Sequence, residues 1–118
     1  MKFSPLVGAM ALFAASLPIG SIANASTSTP QKIYNVTITT SGYAFFFLEG
    51  GDRAGTPACA AAFKSRWVFN TNTAAGQAVL STLLTAYASG KAIGVNGNGA
   101  CDVAGDTESV TYLYILDH

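Results

Sequence analysis

The chain has 118 residues, half of them apolar, with six basic and six acidic side chains, one histidine and two cysteines. This length suits one small domain. Its basic residues are scattered singly and cannot build the positive stripe that phosphate backbones require, which argues against nucleic acid as a partner.

Residues 1–25 have the pattern of an export signal: Lys2 opens the segment, residues 6–17 are mostly apolar, and Ala23, Asn24 and Ala25 supply the small residues a leader peptidase accepts. Pro5, Pro18 and Gly20 bracket an apolar run shorter than the roughly 20 residues that span a bilayer. The expected product is a secreted or periplasmic domain, 26–118, with Ser26 at its new N-terminus and no membrane span after cleavage. That segment carries Lys32, Arg53, Lys64, Arg66 and Lys91 against Glu49, Asp52, Asp102, Asp106, Glu108 and Asp117. In an oxidising compartment Cys59 and Cys101 are expected to pair, which the chain-entropy model values at about 4 kcal/mol. The one histidine, His118, is the last residue, a poor place for Cys–His catalysis.

Residues 26–31 (STSTPQ) read as a flexible tail, small, polar and carrying a proline. Residues 32–40 (KIYNVTITT) are β-branched, with Ile33, Asn35, Thr37 and Thr39 alternating against Tyr34, Val36 and Ile38, and predict a strand with one apolar side. Ser41 and Gly42 mark a turn, and residues 43–49 (YAFFFLE) predict its antiparallel partner. Phe45, Phe46 and Phe47 must place rings on both faces of that strand, so the second face needs cover of its own. Residues 50–57 form a loop by composition, and residues 65–70 (SRWVFN) predict a third strand. Between 73 and 89 the period changes. Gly76, Val79, Leu80, Leu83, Leu84 and Tyr87 line one helical face, Asn72 or Thr73 can cap its start, and Gly90 suits its end. No ionic residue falls between 74 and 89, and Thr82, Thr85, Ala86 and Ser89 occupy the other side; a helix so poor in charge is expected to be covered on both sides by self-association. Residues 91–95 predict a fourth strand and 96–99 a turn. Residues 109–116 (SVTYLYIL) predict a last strand, apolar on both faces and therefore interior.

Three strands, a helix and two strands imply a mainly β domain with one α-helix, specifically a five-stranded OB-type barrel whose helix lies between strands three and four. A two-layer α+β sheet is the alternative. The stretch from Tyr34 to Cys101 also resembles the B subunits of bacterial AB-type toxins, of the subtilase cytotoxin kind, and their small secreted relatives. The likeness lies in the order strand, turn, strand ending Leu48-Glu49-Gly50, a cysteine, Trp67 with Phe69, the helix AGQAVLSTLLTAYASGK, a short strand and a second cysteine. The resemblance implies an OB fold, a ring-shaped homo-pentamer, recognition of host glycans, and a separate A subunit carrying any catalysis. At the positions of the family's sugar site this chain has Asn35 on the first strand and Asn96, Gly97 and Asn98 after Val95, without the family's aromatic residues there.

Sugar sites combine an aromatic plate with amides and hydroxyls. Trp67, Tyr34, Tyr43, Asn35, Asn96 and Asn98 supply these types, so the candidate glycan residues are Asn35, Asn96 and Asn98. Trp67 in an apolar strand reads as core, and Asn96 and Asn98, each beside glycine, also suit a turn. Asp102, Asp106 and Glu108 lack the D-x-D-x-D-G spacing of a calcium loop and read as solvated acids. No nucleophile elbow, H-E-x-x-H, Walker loop or Cys/His cluster occurs, so the expected function is non-enzymatic glycan binding without cofactor or metal. A protein-interaction or structural module without a sugar site is the alternative, and a small hydrolase using Asp102, Asp106 or Glu108 a third.

Overall fold

The computed structural model describes residues 25–51 and 53–117; residues 1–24, and with them nearly all of the expected leader, lie outside them, as do Asp52 and His118. Within that span the protein is mainly β with one helix. Its strands are β1 (Thr27–Gln31), β2 (Ile33–Ile38), β3 (Tyr43–Leu48), β4 (Arg53–Ala54), β5 (Arg66–Asn70), β6 (Ile93–Gly97) and β7 (Val110–Ile115), with α1 (Ala74–Ser89) between β5 and β6. Two antiparallel sheets form, in the orders β4-β1-β6-β7 and β2-β3-β5. The sheets are not closed into a continuous barrel. Between them a parallel bridge joins Val68 on β5 to Ser109, just before β7.

Residues 27–31, expected as a tail, pair as β1 between β4 and β6. Small hydroxyls make this possible: Ser26 and Ser28 are buried, and the Ser28 Oγ accepts a hydrogen bond from the Val95 N–H at 3.1 Å. The chain then switches sheets across Lys32. A register shift between Ile33 and Asn35 breaks the strict alternation in β2, so Ile33 and Val36 turn toward the core while Tyr34 and Ile38 face solvent.

In β3 the alternation is kept: Ala44, Phe46 and Leu48 are buried, and Tyr43, Phe45 and Phe47 are half-buried on the other face. Side chains rather than a further layer cover that face. The Arg66 guanidinium sits 4.7 Å over the Phe45 ring and 3.7 Å over Phe63, and Tyr34 lies against Phe47. Trp67 is core, as its flanking pattern predicts.

The helix begins at Thr73, whose hydroxyl accepts the Gly76 N–H at 2.9 Å, and ends at Gly90 in the left-handed conformation. Gly76, Leu83 and Ala86 are buried, with Val79 and Leu80 packed against the core. Ala86 therefore belongs to the inner face, and Leu84 and Tyr87, expected inside, are exposed. The uncharged outer side satisfies its hydroxyls internally, since Thr82, Thr85 and Ser89 each donate to the carbonyl four residues back. The last strand, expected to be interior, is an edge strand.

Cys59 and Cys101 form a disulfide, with Cα atoms 6.2 Å apart across 42 residues. It ties a 3-10 turn, Ala58–Phe63, to the connection between β6 and β7. Replacing both cysteines with serine should cost about 2–4 kcal/mol in urea unfolding; a loss below about 0.5 kcal/mol would remove the staple from the account of stability.

Candidate functional site

Antiparallel pairing puts directly opposed residues on the same side of a sheet. In the four-stranded sheet this aligns Ala54, Thr27, Asn96 and Tyr112 in one row from β4 to β7. The next pair, Gly94 and Tyr114, sets the Tyr114 ring over a residue without a side chain, and a Cβ at Gly94 would collide with it. Tyr112 and Tyr114 are 50% and 43% exposed. Beside them lies a depression of about 350 Å³ lined by Thr27, Thr29, Arg53, Asn96 and Tyr114, among others. The Thr29 hydroxyl accepts from the Gln31 amide at 3.1 Å, whereas the Asn96 side-chain amide has no hydrogen-bond partner among the described residues. This face offers aromatic plates, a free amide and hydroxyls, the chemistry that sugar rings accept.

One lining residue of the depression, Arg53, belongs to a buried ion pair. The Arg53 side chain turns inward, 3.7 Å above the Trp67 ring, and its guanidinium bonds the Glu108 carboxylate. It also donates to the Ser26 hydroxyl at 2.9 Å and the Lys64 carbonyl at 2.8 Å. Burial lowers the Arg53 pKa from its ordinary value, opposed by the hydrogen bond and charge of Glu108. Glu108 is fully buried and accepts from the Ser26 N–H at 3.2 Å, the Ser26 hydroxyl, and the Gly99 N–H at 2.9 Å. Gly97 leaves room for it, because a Cβ there would overlap the carboxylate and the Trp67 ring.

The three expected glycan residues are separated. Asn35 is exposed on the other sheet, opposite Phe47, and accepts from the Thr37 hydroxyl at 3.1 Å. Asn98 organises its own loop: its amide donates to Asp102 at 3.3 and 3.4 Å and its carbonyl accepts the Ala100 N–H at 2.9 Å. It borders a second cleft, of about 240 Å³, near the start of α1. Only Asn96 stands with the tyrosines.

Each carboxylate read as a solvated loop acid has a protein partner. Asp106 pairs with Arg66 at 2.8 Å, Glu108 with Arg53, and Asp102 accepts from the Ser109 hydroxyl and Asn98. Sequence reasoning missed Ser26, Arg53 and the outward tyrosines. The spacing of Tyr112 and Tyr114 put them on one face but could not say which face was outside. No family model, curated protein or solved structure matches this chain.

The hydrogen bond from Ser109, with a smaller contribution from Asn98, holds the Asp102 carboxyl below the ordinary aspartate range. Its ionised form therefore stabilises the fold above the unfolded pKa, and that contribution disappears as pH falls through the folded value. Ser109→Ala should raise the Asp102 midpoint toward the unperturbed value of about 3.9 in a carboxylate NMR titration; an unmoved midpoint would show that the hydroxyl is not the cause.

Proposed function

We propose that this is an exported, non-enzymatic binding protein that takes a glycan or glycoconjugate on the outer face of the β4-β1-β6-β7 sheet. The observation that carries the reading is the Asn96 amide, without a hydrogen-bond partner among the described residues, aligned with Thr27 and Tyr112 and flanked by Tyr114. An amide and hydroxyls can exchange hydrogen bonds with sugar hydroxyls while a tyrosine ring packs on the apolar face of the pyranose. The toxin B-subunit resemblance points to the same ligand class, with a separate A subunit supplying any catalysis. The Cys59–Cys101 disulfide fits an oxidising, extracytoplasmic compartment.

An OB-type arrangement belongs to this proposal. In its support, residues 27–38 feed both sheets in succession, the helix lies between β5 and β6, and the parallel Val68–Ser109 bridge lies where a barrel would join. Assembly into a symmetric ring, a pentamer by resemblance, is supported by the uncharged α1 surface with Leu84 and Tyr87 exposed.

A second reading, a protein-interaction module, draws on the opposite sheet, where Tyr34 and Ile38 are exposed, and on the exposed Phe63 of the 3-10 turn. A glycan array followed by titration separates the two. Under the glycan reading, Asn96→Ala and Tyr114→Ala each weaken binding by at least about fivefold, roughly 1 kcal/mol, while Tyr34→Ala leaves it unchanged. Absence of any glycan bound at micromolar protein would favour the protein-interaction module, and loss through Tyr34→Ala instead would contradict the assignment of the glycan to the β4-β1-β6-β7 face.

A further inference from the structure

The buried carboxylate of Glu108 has a partner whose chemistry depends on processing. Ala25 is exposed and Ser26 is fully buried, so the chain enters the fold between these two residues. The Ser26 nitrogen lies 3.2 Å from the Glu108 Oε2, and the Ser26 carbonyl accepts the Gly97 N–H at 2.8 Å. Independently, Ala23, Asn24 and Ala25 place a leader-peptidase recognition pattern directly before the same bond.

We propose that hydrolysis of the Ala25–Ser26 peptide bond makes the Ser26 α-amino group a ligand of Glu108, so that the mature N-terminus forms part of the buried charge cluster. A leader-removing endopeptidase adds water across the bond; the carboxylate leaves with Ala25, and the Ser26 nitrogen takes up a proton as an ammonium. The ammonium keeps the hydrogen bond that the amide N–H makes to Oε2 and adds a positive charge beside the carboxylate. Its other protons face the direction vacated by Ala25, which is solvent-exposed, so they are hydrated. The charged groups at this position are then the Ser26 ammonium and Arg53 on one side and Glu108 on the other.

The test compares the chain beginning at Ser26 with the same chain acetylated at its α-amine, which removes the charge but leaves one N–H. Mass spectrometry of the exported protein should show Ser26 as its first residue. Acetylation should raise the unfolding equilibrium constant by about tenfold or more with Glu108 present, as expected for loss of a charge-assisted bond, and by less than about twofold in Glu108→Gln. An exported chain with a different first residue, or an equal acetylation effect in both backgrounds, would overturn the proposal. If Glu108→Gln fails to fold, amine reactivity takes its place. In the native protein an acylating reagent should modify the Ser26 amine at least about tenfold more slowly, relative to exposed Lys32, than in the unfolded chain; equal relative rates would overturn it.

Discussion

The structure depends on one fully buried carboxylate. Glu108 gathers the guanidinium of Arg53 from β4, the hydroxyl and N–H of Ser26 at the entry to β1, and the Gly99 N–H beyond β6. The Arg53 guanidinium in turn reaches the carbonyls before and at the start of β5 and stacks on Trp67. Taking both charges out of water is costly, and only nearly complete hydrogen bonding offsets it. Among the described residues, no buried side-chain nitrogen or oxygen lacks a partner. Such a pair is weak evidence for net stability over an apolar core, but losing one partner alone leaves a buried charge uncompensated.

The same cluster aligns the candidate binding face. Arg53 fixes the short β4 against β1, Ser26 anchors the start of β1, and Gly97 at the end of β6 gives up a side chain to let Glu108 in. Those anchors hold the register in which Thr27, Asn96 and Tyr112 meet in a row. A one-residue slip of β1 would send Thr27 inward and expose Ser28. The polar interior and the polar outer face thus share one constraint, even though Arg53 itself is spent on Glu108 and offers the depression no accessible charge.

How much of this was legible in the sequence follows from how local each signal is. The helix, β3 and β5 declared themselves through period and caps, and the disulfide was expected from two cysteines and the export pattern read in residues 1–25. The β2 faces were misread because the register shift after Ile33 is set by its partner strand. Residues 26–31 looked like a tail because small hydroxyls become strand-forming only when buried partners bond them, and those partners lie 82 residues from Ser26 at Glu108 and 67 from Ser28 at Val95. Glu108 itself resembled a loop acid for the same reason, with Arg53 lying 55 residues earlier. For the candidate site, amide and aromatic types were visible, but their grouping was not. Asn96 joined Tyr112 and Tyr114 only once β7 proved to be an edge strand, while Asn35 and Asn98 were sent elsewhere.

A double-mutant cycle on Arg53 and Glu108, read by urea unfolding, tests the central claim most directly. Arg53→Met and Glu108→Gln should each cost about 3 kcal/mol or more, and together at least about 2 kcal/mol less than the sum, because the second change removes the charge that the first left unpaired. Additive losses, or single losses below about 1 kcal/mol, would contradict the account.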